Sequence, residues 1–155
     1  MKKNAALPFL ALLPLLAFAR RADGALSCSF DSVTGVNFGS YDVFNASPTK
    51  ATGSITFRCT GSGGTNLMTM SFSTGSGTFA NRTLISGANT LRYNLYLDPG
   101  NTQIWGDGSS GTFIFSIDPS SSGRRTVTVY GTIPAGQDVG VGPSYSDTIT
   151  VTMNF

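Results

Sequence analysis

The sequence predicts an all-β protein that folds as a single antiparallel β-sandwich with no helix of consequence. First, Gly, Ser and Thr make up 57 of the 155 residues, only 12% are charged, and Glu is absent. This composition favours strands and turns over helices. Second, apolar and polar residues alternate with a period of two in several short stretches. Third, clusters of turn-forming residues separate these stretches at roughly regular spacing, as in a sandwich of about seven strands.

Individual strands follow from the alternation. Four stretches alternate cleanly and place their apolar residues on one face of a sheet: 53–59, 68–72, 91–97 and 126–130. Residues 36–43 predict one or two short strands with a bend at Gly39. The denser apolar run 112–117 is more typical of a central strand.

The last eleven residues, 145–155, alternate without a break. Their apolar row predicts one strand face and consists of Ile149, Val151, Met153 and Phe155. An ordinary core strand has this pattern too. Most domains, however, leave a few loose residues after their last strand. We therefore expect a docked terminus whose free edge, if the strand lies at the side of a sheet, is a template for another strand.

Residues 1–19 have the pattern of a secretory signal peptide. Two lysines precede an apolar run that two prolines interrupt, and Ala17-Phe18-Ala19 fits the small-x-small cleavage rule. The run is short for a membrane anchor. Cleavage after Ala19 would leave an exported domain over 20–155, and a later cleavage, up to residue 24, is the alternative. Removing Lys2 and Lys3 lowers the formal charge from +2 to zero.

Two cysteines, Cys28 and Cys59, are present. In an oxidising compartment they predict one disulfide, which would tie the start of the mature chain to a strand well inside the sheet. A pair of free thiols and an intermolecular bridge are the alternatives.

Charge and composition narrow the function. There is no basic stripe of the kind that nucleic-acid binding requires, so no nucleic-acid partner is expected. Without His or Glu, the usual zinc sites and Ser-His-Asp chemistry cannot be assembled. We therefore expect no enzyme activity, metal or cofactor. Arg58, Arg82 and Arg92 alternate with apolar neighbours and are expected to face solvent or to pair with Asp.

Two local patterns allow other interpretations. Trp105 beside Asp107 is a candidate for stacking on a sugar ring, but packing of Trp105 on the sandwich above a Gly106-to-Gly108 turn is the favoured interpretation. The second pattern, Asp98, Asn101 and Asp107, resembles a calcium ligand set. It lacks the spacing of an EF-hand and a bidentate Glu.

Several blocks in a fixed order resemble the Spore Coat Protein U domain family. They are Cys28-Ser-Phe at 28–30, Val-Asn-Phe-Gly-Ser-Tyr-Asp at 36–42, Gly-Ser-Ile-Thr-Phe-Arg-Cys at 53–59, Leu-Arg-Tyr-Asn-Leu-Tyr-Leu-Asp at 91–98, Trp-Gly-Asp-Gly at 105–108 and the ending 145–155. The resemblance covers 28–155, essentially the whole mature chain. No single block is specific, but their order is.

The resemblance implies a subunit of archaic chaperone–usher pili. Its expected fold is an immunoglobulin-like sandwich that lacks its last strand. A periplasmic chaperone, and later the N-terminal extension of another pilin subunit added at an outer-membrane usher, would supply that strand. The row Ile149, Val151, Met153 and Phe155 would then lie along the strand-accepting groove. The alternation of the strands, and not the resemblance, adds Ile55, Phe57, Leu91, Tyr93 and Leu95 as residues expected to line it.

The segment ahead of Cys28 departs from the pattern of a rod subunit. The segment 20–27 is short, begins with Arg20 and Arg21, and has no alternation of apolar and polar residues. We therefore expect a subunit that accepts a strand without donating one, as at a fibre tip, although tip subunits of the family usually have two domains.

The sequence thus predicts a structural subunit of a surface pilus that is exported through the periplasm and supports adhesion or biofilm formation. A surface or glycan receptor would be a further partner. The alternative is a self-contained secreted coat protein or carbohydrate-binding sandwich. On the pilin hypothesis, Phe155→Asp or Val151→Asp abolishes chaperone capture and Trp105→Ala does not.

Overall fold

The computed structural model describes residues 26–61, 67–118 and 123–155. The signal peptide predicted at 1–19 lies outside these residues. Those three ranges contain eight strands and no helix, and thus no helix able to cross a membrane. The strands are β1 (Ser27–Thr34), β2 (Thr49–Thr60), β3 (Met68–Phe72), β4 (Arg82–Ser86), β5 (Asn89–Tyr96), β6 (Phe115–Ile117), β7 (Gly123–Ile133) and β8 (Val151–Asn154).

The strands form two antiparallel sheets, which confirms the predicted all-β fold class. The larger sheet has the order β1-β2-β7-β5-β4, and the smaller has the order β6-β3-β8. The long central pair β2 and β7 runs in register from Thr49 opposite Ile133 to Cys59 opposite Gly123. Two open sheets of this kind bury their apolar faces against each other.

One apolar core lies between the sheets, and its residues come from the predicted alternation. The buried side chains on β2, β3, β5 and β7 include Ile55, Phe57, Met68, Met70, Phe72, Leu91, Tyr93, Leu95 and Val129. The ring of Phe57 on the larger sheet contacts Phe115 on the smaller, with centroids 6.2 Å apart. The stretches that alternate cleanly in the sequence therefore supply most of the core.

A disulfide joins Cys28 and Cys59, which are directly opposite each other on β1 and β2. Because β2 lies between β1 and β7, the bridge fastens an outer strand to the interior of the sheet, as predicted. β1 also carries an irregularity between Phe30 and Ser32. Asp31 at this bulge accepts a hydrogen bond from Arg124 Nε at 2.7 Å.

The central strand predicted over 112–117 is wrong. Only Phe115–Ile117 forms a strand, β6, and it lies at the outer side of the smaller sheet. Phe113 instead forms a bridge with Trp105, and its side chain is exposed, as is that of Ile114. The apolar run therefore divides between two partners rather than running through the middle of one sheet.

Two further stretches depart from regular strands. Residues 36–42 bend at Gly39, which has a φ of 68°, but belong to no strand among the described residues. The predicted C-terminal strand is regular only over Val151–Asn154. Before it, Ser146 exchanges two backbone hydrogen bonds with Ile85 on β4. The chain thus leaves the larger sheet at Ser146 and joins the smaller one at Val151.

Candidate strand-accepting groove

The outer strands β1 and β8 belong to different sheets but border the same cavity. β1 pairs with β2 alone and β8 with β3 alone among the described strands, so each has one open edge. A cavity of about 200 Å³ is lined by Val33 and Thr34 from β1 and by Val151 from β8. Its floor consists of core residues of both sheets, including Ile55, Phe72, Tyr93, Leu95 and Val129. The sandwich is therefore open along this side.

One wall of the groove is the extended segment 35–42. Its side chains alternate, with Val36 and Phe38 half-buried and their neighbours exposed. Gly131 on β7 makes room for them, because a Cβ at this position would lie 2.6 Å from Val36 Cγ1 and 2.7 Å from Phe38 Cζ. The ring of Phe38 also meets Tyr93 edge to face, with centroids 5.9 Å apart. The wall is held by side-chain packing in place of a backbone ladder.

A polar latch fixes the far end of this wall. The hydroxyl of Tyr41 donates to the carbonyl of Pro134 at 3.0 Å and accepts from the Gln137 N–H at 2.9 Å. The Gln137 side chain in turn accepts from the Arg92 N–H and donates to the Arg92 carbonyl. Beyond the end of β7, the Gln137 amide thus forms with Arg92 the two hydrogen bonds that the backbone of a neighbouring strand would form.

A second, larger cavity continues the groove. It has a volume of about 760 Å³ and lies between residues 36–44 and 139–147. Val36, Phe38, Leu84 and Asp147 line both cavities, so the two are adjacent parts of one groove. A strand between the two open edges would enter the first cavity, and the second, which has no lining residue from β1 or β8, lies beyond it.

Most of the predicted groove residues line one of the two cavities, and the others do not. Ile149 and Val151 line the first cavity, as do Ile55, Tyr93 and Leu95, and Leu91 lines the second. Met153 is opposite Met70 on β3, and Phe155 is half-exposed beyond the end of β8. Phe57 is buried in the core and lines neither cavity.

Among the described residues, Asp147 is the only charged one that lines the first cavity. Its Oδ2 accepts a hydrogen bond from the Tyr93 hydroxyl at 2.6 Å. Its Oδ1 accepts from the backbone N–H groups of Ser76 at 2.9 Å and Thr148 at 2.8 Å. Burial, and then the hydrogen bond and charge of Asp147, raise the pKa of Tyr93 well above its usual value. The carboxylate is therefore held in place at the junction of the two cavities.

Comparison with known families assigns the chain. The family model for the Spore Coat Protein U domain matches residues 16–152. The chain belongs to this family. No curated protein matches it.

Among solved structures, the chain is similar to one from the CsuC–CsuE chaperone–tip adhesion subunit pre-assembly complex of the archaic chaperone–usher Csu pili of Acinetobacter baumannii. The sequence identity is 22% and the TM-score 0.54. The match covers 84% of this chain and 40% of the other, so this chain spans less than half the length of that relative. At this identity the likeness supports the fold.

In this Spore Coat Protein U domain, Trp105 is a core residue, as the favoured interpretation predicts. It is fully buried, stacks on Phe72 with centroids 4.1 Å apart, and donates from Nε1 to the Met70 carbonyl at 3.0 Å. A ring in this position cannot stack on a sugar from solvent. Its burial also overturns Trp105→Ala as a neutral control, because truncating a buried Trp costs about 3–5 kcal/mol.

The two aspartates of the candidate calcium ligand set, Asp98 and Asp107, accept hydrogen bonds within their own turns. The carboxylate of Asp98 accepts hydrogen bonds from the backbone of Thr102 and Gln103 and from the Thr102 hydroxyl. Burial acts to raise the pKa of Asp98, but these hydrogen bonds outweigh it and lower that pKa. Asp107 accepts from the hydroxyl and N–H of Ser109, which lower its pKa. Across the described residues, no cluster of His, Cys, Asp or Glu could hold a metal ion.

Arg82 is the residue that sequence analysis placed wrongly. It is fully buried, and its guanidinium donates to Asn94 Oδ1 at 2.6 Å, the Ser73 carbonyl at 2.9 Å and the Trp105 carbonyl at 2.7 Å. Burial lowers its pKa. The sequence gives no signal of this burial, because it arises from contacts in the fold such as the pairing of Arg82 with Tyr93 in the ladder.

Proposed function

We propose that this protein is a structural subunit of a surface pilus assembled by donor-strand complementation. One observation carries the proposal: two open sheet edges, β1 and β8, flank a groove whose first cavity is lined mainly by apolar side chains. A strand laid in such a groove gains main-chain hydrogen bonds from an open edge, and its alternate side chains fill the cavities. Membership of the Spore Coat Protein U domain family supports this reading.

The partners follow from the same mechanism. A periplasmic chaperone protects the groove first, and an outer-membrane usher then exchanges the chaperone strand for one from another pilin subunit. The similar fold in the CsuC–CsuE complex, where a tip adhesion subunit is bound to a chaperone, supports a chaperone partner. The protein would pass through the periplasm to the cell surface. Adhesion, biofilm formation, a surface or glycan receptor and a place at the fibre tip stay predictions of the sequence.

The C-terminal row has a defined role in this proposal. Ile149 and Val151 form apolar contacts with the inserted strand from the cavity wall, and the open edge of β8 supplies backbone hydrogen bonds. Met153 and Phe155 extend the same face of the strand beyond the cavity. An uncovered apolar groove of this kind leads to aggregation unless a partner fills it.

Thermal unfolding of the mature chain, residues 20–155 with the disulfide intact, tests the proposal. A synthetic peptide of about ten residues with alternating apolar side chains serves as the donor strand. We expect poor stability or aggregation of the chain alone and a large rise in Tm with the peptide, because a ligand specific for the folded state stabilises it by mass action. A cooperative, monomeric melt that no strand changes would favour the self-contained sandwich instead.

A matched pair of variants locates the binding site. Val151→Asp places a charge at the cavity wall and should abolish both chaperone capture and the peptide-induced rise in Tm. Thr152→Asp introduces the same charge one residue later, on the exposed face of β8, and should preserve both. Equal behaviour of the two variants would place the strand elsewhere.

A further inference from the structure

The described residues that line the groove carry negative charge and no positive charge. Asp147 lines both cavities, and the second cavity adds Asp42. Neither cavity has a Lys or Arg among its described lining residues. The rest of the first cavity is lined almost entirely by apolar side chains, so its carboxylate stands out against an apolar surface.

The hydrogen bonds of Asp147 orient its carboxylate but do not neutralise it. Its three donors, the Tyr93 hydroxyl and the N–H groups of Ser76 and Thr148, are all uncharged. Oδ2 accepts only one of these bonds, and a carboxylate oxygen can accept two. Among the described cations, Arg82 has a charge that interacts with that of Asp147, but its Nη1 and Nη2 groups donate to Asn94 and to two backbone carbonyls. Oδ2 thus retains the capacity to accept a charged donor.

We propose that Asp147 selects the incoming strand by requiring Lys or Arg at the position that faces the junction of the two cavities. This inference rests on the proposed function and specifies the chemistry of its donor strand. Alternate residues of an extended strand point to the same side, so apolar residues two positions before and after the basic one would enter the two cavities. The aliphatic stem of the basic residue would pack along Val36, Phe38 and Leu84, and its charged head would bond to Asp147.

A peptide series on the mature chain tests this selection. The peptides are identical alternating apolar strands in which Lys, Leu or Glu is placed at each groove-facing position in turn, so that no register has to be assumed. We expect one position at which Lys binds about tenfold tighter than Leu and at which Glu binds more weakly than Leu, as for a half-buried ion pair. High salt should reduce the advantage of Lys.

Two variants assign the preference to a residue. Asp147→Asn keeps the side-chain shape and should remove the preference for Lys, whereas Asp42→Asn should keep it. Because each comparison is a ratio between two peptides on one protein, a change in the stability of the variant cancels. If Asp147→Asn does not fold, the salt dependence and the Glu peptide on the unmodified chain decide.

The outcomes separate this inference from the proposed function. If no alternating peptide binds, the strand-accepting function itself is wrong. If all the peptides bind with equal affinity, or if the preference for Lys persists in Asp147→Asn, the groove accepts strands without the proposed selection.

Discussion

Arg82 shows how a buried charge can organise a small sandwich with no carboxylate in contact with it among the described residues. Three acceptors on different segments surround its guanidinium: Asn94 on β5, the carbonyl of Ser73 after β3, and the carbonyl of Trp105. The ring of Phe79 lies 5.4 Å from its central carbon. A fixed planar fork can reach several acceptors at once, which a single ammonium group cannot. We infer that Arg82 joins both sheets and the segment that carries the buried Trp.

Replacing the guanidinium of Arg82 with an ammonium group tests that role. Arg82→Lys should lower the free energy of unfolding by about 2–4 kcal/mol, because one or more buried acceptors lose their donor. Chemical denaturation with urea measures the loss. Arg92→Lys is the matched control, since Arg92 is exposed on the adjacent strand and its replacement should change stability by less than about 0.5 kcal/mol. Similar losses for both variants would contradict the role.

The hydroxyl of Tyr93 gives a pH-dependent test of the groove floor. Burial and the hydrogen bond to Asp147 raise its pKa in the folded state. Above about pH 10 the hydroxyl ionises in the unfolded chain but stays protonated in the fold, so stability falls as pH rises. From about pH 8 to about pH 11 the loss attributable to Tyr93 is about 1.4 kcal/mol. Tyr93→Phe should remove that part of the slope, and parallel stability curves would count against the burial.

At the scale of elements, the wall formed by residues 35–42 depends on a glycine in β7. Gly131 has no side chain, and Val36 and Phe38 occupy the space above it. The wall has no strand partner among the described residues, so this packing and the Tyr41 latch hold it. The width of the groove therefore depends on a single glycine.

A methyl group at this glycine tests the dependence. Gly131→Ala should displace the wall and destabilise the fold by about 1–3 kcal/mol, because its Cβ would overlap two side chains. Gly35→Ala is the control for stability, since nothing lies within 4 Å of a Cβ there, although Gly35 itself lines the first cavity. Thermal unfolding of the two variants checks the stability, and peptide binding checks the groove. An unchanged Tm for Gly131→Ala would show that the wall is loosely held.

The sequence predicts the buried faces of the elements better than their partners. Alternation correctly identified the cores of β2, β3 and β5, because burial on one face imposes a period of two. The same alternation in residues 36–42 and 145–150 predicted strands where the structure has extended segments outside the strand ladders. A period of two reports which side chains are buried, not whether the backbone is paired. The groove lies beside the extended segments whose side chains alternate but whose backbone is not paired in a strand ladder.

Charges were harder to place from the sequence than apolar residues. Nothing in the sequence near Arg82 or Asp147 indicates that one is in the core and the other at the junction of two cavities. Both positions arise from contacts between residues distant in sequence, such as that between Tyr93 and Asp147. Cys28 and Cys59 could be paired because only two cysteines exist, and their pairing needed no knowledge of the fold.

At the scale of the whole molecule, the groove needs β1 as much as β8. β1 is an outer strand with exposed apolar side chains at Phe30 and Val33, so its own burial contributes little to keeping it in the sheet. The disulfide between Cys28 and Cys59 fastens the beginning of β1 to β2. The surface ion pairs of Asp31 with Arg58 and Arg124 add little, because exposed pairs are worth about 0–1 kcal/mol. We infer that the disulfide is what keeps this side of the groove in place.

The double variant Cys28→Ser/Cys59→Ser tests this inference. Removing the bridge should lower the free energy of unfolding by about 3–4 kcal/mol, as expected for a loop with a sequence separation of 31 residues. If β1 also detaches, donor-strand peptides should lose affinity in the remaining folded protein, and hydrogen exchange should increase in β1 before β7. A stability loss confined to the unfolding equilibrium, with peptide affinity and β1 protection unchanged, would mean that the ladder alone holds β1. The disulfide would then stabilise the fold without shaping the groove.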